Sequence, residues 1–211
     1  MIVGQTYGSA FRGTVWPDLM KELDCEVQAF SSLEDAAYWY GEAQLTAMLG
    51  AQARRVSDAE GWFLVEPSSR GRGRGRRVRF VDLWMGFGRA QDEQCTVEAK
   101  FLSASPRGKW LPAARRRLDS ARKQLSSLRA GNLVGAPISL LWVCVYSTKK
   151  DKADAVRTAF NQAITKFADD PDVFVVAFQF DDAPRFDARY HPGFLGIGRL
   201  EEELWRKRSH A

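Results

Sequence analysis

Asp82, Glu98 and Lys100 are the residues whose types and spacing could carry chemistry in this chain. They fall within residues 77–102, RVRFVDLWMGFGRAQDEQCTVEAKFL, which read as two strands joined by a short polar loop. Both halves alternate with period two, so successive side chains go to opposite faces of a sheet. Folding the segment about Ala90 as an antiparallel hairpin sets Asp82 opposite Glu98, and Phe80 opposite Lys100. One face then collects Val81, Leu83, Met85, Cys95, Val97, Ala99 and Phe101; the other collects Asp82, Glu98 and Lys100. A slip of one residue would scatter these groups over both faces, so the pattern favours this register. Two carboxylates directly across a ladder, with Cβ atoms about 5 Å apart, repel one another unless a cation lies between them. The hairpin therefore reads as a divalent-metal site.

The elements around it must hold that hairpin. A capping box at Ser31-Ser32-Leu33-Glu34 predicts a helix from Ser31 to about Arg55. Tyr38, Leu45, Met48, Leu49 and Gln52 share one stripe of this helix, and Glu42 lies on the same stripe. A carboxylate among core-facing residues either has a partner or serves a site. Residues 1–30 show no sustained periodicity beyond one or two helical turns at 17–24. Residues 61–66 (GWFLVE) read as a first strand.

After the hairpin, Pro112 stands at a helix start and Gly131 past its end. Ala114, Leu118, Ala121, Leu125 and Leu128 form its apolar stripe, and Arg115, Arg116, Arg117, Arg122, Lys123 and Arg129 occupy the rest. Residues 138–147 (ISLLWVCVYS) and 173–180 (VFVVAFQF) read as strands buried on both faces. An amphipathic helix over 151–168 joins them, which suggests a parallel pair with a right-handed crossover. Residues 181–198 read as irregular, followed by a short helix near 199–207.

These elements predict one α/β domain over residues 1–211, a mixed central sheet flanked by helices. Its core spans about 31–180, with irregular extensions at 1–30 and 181–211.

The chain's net charge of +5 favours an acidic partner such as nucleic acid. Between strands lies the Gly/Arg run of residues 67–77, where Arg70, Arg72, Arg74, Arg76 and Arg77 concentrate positive charge. That loop either closes on phosphates or is a solvated linker. Arg107, Lys109 and Arg116 extend a basic surface beside the hairpin. Cys25, Cys95 and Cys144 show no metal-ligand spacing and read as reduced, buried thiols of a cytoplasmic protein. No apolar run reaches the roughly 18 residues of a membrane span, and no export signal is visible. With only His191 and His210, both in the C-terminal region, histidine-based catalysis is not expected.

On these residues the chain resembles the PD-(D/E)xK nuclease superfamily, the restriction-endonuclease-like fold. Val81-Asp82 stands at its first acidic position and Glu98-Ala99-Lys100 as its E-x-K, with Val81 where the literal motif has proline. The resemblance implies an αβββαβ core with an extra C-terminal αβ extension. It also implies a nuclease that uses Mg²⁺, with Mn²⁺ able to substitute, to hydrolyse phosphodiester bonds, in DNA ahead of RNA. Catalysis would fall to Asp82, Glu98 and Lys100, and metal binding to Asp82, Glu98, the Ala99 carbonyl and Glu42. Gln124 would be an auxiliary residue, and a homodimer or larger nuclease complex a natural setting. Lys100 would orient the attacking water or stabilise developing charge. A catalytically inactive nucleic-acid-binding or assembly module on the same fold is the competing expectation.

Overall fold

The computed structural model describes residues 1–31, 41–56, 62–64, 82–87, 93–105, 110–128, 135–147, 153–180, 185–186 and 189–204. The elements are, in order, β1 (Ile2–Tyr7), α1 (Trp16–Ser31), α2 (Glu42–Val56), β2 (Trp62–Leu64), β3 (Leu83–Phe87) and β4 (Glu93–Ala104). There follow α3 (Trp110–Ser126), β5 (Ala136–Ser147), α4 (Ala153–Phe167), β6 (Val173–Gln179), β7 (Arg185–Phe186) and β8 (Arg189–Leu200). All eight strands join one mixed sheet of order β1-β6-β8-β5-β4-β3-β2, with β7 added on β8. Only β4 and β5 pair in parallel, and α3 is the connection between them. No helix among the described residues is long and apolar enough to cross a membrane.

Helices cover both faces because each sheet face is apolar. Val97, Ala99, Ile138, Leu140 and Trp142 pack against Trp16, Leu19 and Leu23 of α1 and Leu45 and Leu49 of α2. Leu141, Val143, Val175 and Ile197 pack against Ala114 and Leu118 of α3 and Val156 and Phe160 of α4. Alternation along β4 therefore turns Glu98 and Lys100 toward the α3 side of the sheet.

Several expectations need correction. Residues 1–30 are ordered elements: Trp16, Leu19, Met20, Leu23 and Val27 are buried at helical spacing, and the Thr14 hydroxyl accepts the Trp16 N–H at the start of α1. Ser31 belongs to α1 and α2 begins at Glu42, so no single helix runs from Ser31 to Arg55; residues 32–40, the rest of the expected capping box, lie outside the described residues. β5 and β6 do not pair with each other. β8 lies between them, antiparallel to both. Its Gly and Pro content reads as irregular, yet its glycines serve close approach: a Cβ at Gly198 would collide with the Phe174 ring, and one at Gly196 with Trp142. Arg199 and Leu200 belong to this strand, and the described part of the closing helix is 202–204; residues 205–207 lie outside the described residues. Cys25 is exposed, whereas Cys95 and Cys144 are buried.

Candidate active site

β3 pairs with β4 from Phe87↔Glu93 to Leu83↔Val97. That is the register expected from the hydrophobic pattern, and one more step sets Asp82 across from Glu98. Leu83, Met85, Val97 and Ala99 are fully buried on one face. Among the described residues, β3 covers β4 no further than Leu83, and Asp82 sits in a bend there. Its carboxylate accepts the Ala99 N–H at 2.7 Å, taking the place of a ladder partner. Phe80 and Val81 lie outside the described residues.

Glu42 arrives from the other layer. Gly41, at φ 80°, adopts the left-handed conformation that brings the chain into α2. Glu42 is the first residue of that helix, where the macrodipole favours an acid. It reaches the exposed flank of β4, on which Lys100 folds back along its own strand. The Lys100 Nζ donates to Glu98 Oε1 at 3.0 Å and to the Ala99 carbonyl at 2.5 Å. Glu42 Oε1 and Asp82 Oδ2 each lie 4.0 Å from the same nitrogen. Four groups named from the sequence as cation ligands thus surround one cation, the ammonium of Lys100.

The site is only partly open: the Glu98 side chain is 4% exposed, Lys100 13%, Asp82 29% and Glu42 34%. Burial raises the Glu42 carboxyl above its ordinary value; Asp82 and Glu98 push it the same way, while Lys100 and Arg117 oppose them. Arg117, on α3, is thereby drawn into the electrostatics of the cluster. Among the described residues no three His, Cys, Asp or Glu side chains form a group that could hold a metal. Three carboxylates and a carbonyl are nonetheless the hard-oxygen donor set that fits Mg²⁺.

The basic residues divide sharply. Arg115, Arg116 and Arg117 are exposed, and among the described residues none of the three is in a salt bridge. Arg122 is instead tied to Glu201 and Glu203. Arg70, Arg72, Arg74, Arg76, Arg77, Arg107 and Lys109 lie outside the described residues. Gln124 follows Arg117 by seven residues on α3; its Oε1 is buried without a hydrogen-bond partner among the described residues.

Sequence reasoning missed a second polar cluster on the same sheet face. Register runs Glu98↔Ser139↔Arg199 across β4, β5 and β8. The buried Glu201 carboxylate accepts Ser139 Oγ at 2.6 Å and Arg199 Nε at 2.9 Å. Arg122 of α3 stands 3.4 Å from its other oxygen, and Arg199 also reaches Asp119 at 3.2 Å. Apart from Arg199, two residues before Glu201, the partners are distant in sequence, so local spacing does not announce the cluster.

Cys144 and His191, with Sγ and Nδ1 3.4 Å apart, form a buried pair that mimics a nucleophile and base. Burial pushes the thiol up to about 12 and, with Arg189, the imidazole down to about 4. Both are therefore neutral near pH 7, the opposite of an activated thiolate. No family model matches the chain, and neither a curated protein nor a solved structure matches it.

Proposed function

We propose that this protein is a Mg²⁺-dependent nuclease of the PD-(D/E)xK kind, hydrolysing phosphodiester bonds, with DNA the favoured substrate. Its restriction-endonuclease-like core would run α2-β2-β3-β4-α3-β5, the order αβββαβ. The observation that carries this reading is the convergence of Glu42, Asp82, Glu98 and the Ala99 carbonyl on Lys100.

A bound Mg²⁺ would supply Lewis-acid stabilisation of phosphate charge and a more acidic water. Glu98 and Asp82, held by the strand and by the Ala99 N–H, would present their oxygens without reorganising. Lys100 would hold the attacking water or neutralise charge on the phosphate oxygens. Arg115, Arg116 and Arg117 offer exposed guanidinium groups to the substrate backbone. Carboxylates facing a polyanion would only weaken a simple binder, which favours the enzyme.

The gathering of the carboxylates on the Lys100 ammonium also supports a second reading, a nucleic-acid-binding or assembly module that has lost catalysis. Plasmid and single-stranded DNA incubated with Mg²⁺ or Mn²⁺ separate the two. Cleavage by the wild type and none by Asp82→Ala is expected; no cleavage by either protein would leave the binding module.

A further inference from the structure

Lys100 poses a question that the nuclease reading leaves open. Its ammonium bonds Glu98 Oε1 and the Ala99 carbonyl, two of the oxygens a divalent cation would need. Its side chain is folded back on its own strand and only 13% exposed, so in this arrangement it points at the ligands and away from solvent. With two of its three protons directed at a carboxylate and a carbonyl, the ammonium has at most one left for a phosphate. A dication brought to those same oxygens at the 2.0–2.1 Å that Mg²⁺ requires would stand beside the ammonium, and the two like charges would repel.

We propose that Lys100 is the resident cation of this site and that a divalent ion enters by displacing it, which releases the ammonium toward the substrate. The inference rests on the metal-dependent reading and adds its regulation: loading the cation and arming Lys100 become one event. Without the ion, the three carboxylates hold the lysine and the site stays idle. With it, the ion takes over charge neutralisation, and the freed ammonium is available to a phosphate. Glu42 and Asp82, at 4.0 Å, are placed to take up contact with the incoming ion as the lysine leaves. The arrangement also guards the apo fold, because one internal cation offsets part of the repulsion among three clustered acids.

The test reads binding and lysine accessibility, not cleavage. Mn²⁺ affinity is measured by calorimetry for the wild type and for Lys100→Met. In parallel, wild-type protein is reductively methylated with and without saturating Ca²⁺ or Mn²⁺, and modification of Lys100 is quantified by mass spectrometry. Removing a competing charge-assisted hydrogen bond should tighten Mn²⁺ binding about 10- to 100-fold, and the ion should raise Lys100 methylation several-fold in the wild type. If Mn²⁺ binds the wild type while Lys100 methylation stays flat, the displacement is wrong and the metal site stands. Equal or weaker Mn²⁺ binding by Lys100→Met also overturns the displacement. If neither protein binds Mn²⁺, the metal-dependent reading fails along with it. Should the variant not fold, the methylation arm on wild-type protein decides alone.

Discussion

Two buried acid–base clusters lie next to one another on the α3 side of the sheet, joined by the row Glu98↔Ser139↔Arg199. Around Glu201 the cations are guanidinium groups. Arg199 engages Glu201 and Asp119, and Arg122 engages Glu201 and Glu203. Around Glu98 one ammonium is shared by three carboxylates, two of them at 4.0 Å. Arginine is planar, permanently charged and able to bind two acids at once, which suits a fastening; lysine is a compact charge that one cation can exchange for another. The first cluster ties the end of β8 and the turn after it to α3. The second gathers, among the described residues, three carboxylates on one ammonium, and a cluster of like charges that perturb one another is characteristic of a site kept for function.

The largest expected effect falls on stability. Glu201→Ala leaves Arg199 and Arg122 without their shared carboxylate and should cost about 3 kcal/mol, the low end for a broken buried pair because both arginines keep some access to water. Glu98→Gln keeps the shape and an acceptor for Lys100 while removing one like charge, so stability should hold or rise. Urea denaturation of both variants makes the comparison. Equal losses would make both clusters structural.

Activity should divide the opposite way. Lys100→Met keeps the carboxylates and removes the ammonium, so single-turnover cleavage should fall about 10²–10³-fold, with affinity for DNA in Ca²⁺ little changed. Wild-type-like cleavage by this variant would remove Lys100 from catalysis.

A third buried pair extends the comparison to groups held neutral. Burial and Arg189 keep the His191 imidazole unprotonated down to about 4, against about 6.5 in an unfolded chain. The folded state binds this proton less readily, so the stabilisation is complete above about pH 6.5 and is lost as pH falls toward 4. The loss should be about 3 kcal/mol, and His191→Gln should flatten that limb of a stability–pH curve. An identical limb in the variant would assign the acid sensitivity elsewhere.

What the sequence made legible follows the same physics. The hairpin register was readable because period-two alternation leaves one pairing that buries Leu83, Met85, Val97 and Ala99 together. Glu42 was readable because it shares a helical stripe with Leu45 and Leu49, although the helix begins at Glu42 and not at Ser31. β8 was illegible because its glycines serve contacts with Trp142 and Phe174, rings that only the folded sheet brings near. α1 was within reach, and its stripe of buried residues from Trp16 to Val27 was overlooked. Beyond the local Arg199–Glu201 pair, the Glu201 cluster depends on pairings between residues 62 to 81 positions apart, which no local pattern encodes. Arg117 was one of several arginines on a helix until its influence on Glu42 distinguished it.

The smallest expected effect is the most discriminating for the arginines of α3, where free and fastened guanidinium groups lie within one element. Arg115, Arg116 and Arg117 are exposed and free of salt bridges among the described residues, whereas Arg122 is committed to Glu201 and Glu203. A phosphate contact releases counterions only if the cation was free to make it. Each of Arg115→Gln, Arg116→Gln and Arg117→Gln should therefore lower the magnitude of the log–log salt slope of DNA binding by about 0.7–0.9, leaving stability within about 0.5 kcal/mol. Arg122→Gln should do the reverse, weakening the fold while leaving the slope unchanged. Fluorescence anisotropy of a labelled oligonucleotide across a salt series in Ca²⁺, beside urea melts, reads both quantities. A slope that responds to Arg122 as strongly as to Arg116 would mean that its ion pairs open for nucleic acid, and the division between the two clusters would then have to be drawn elsewhere.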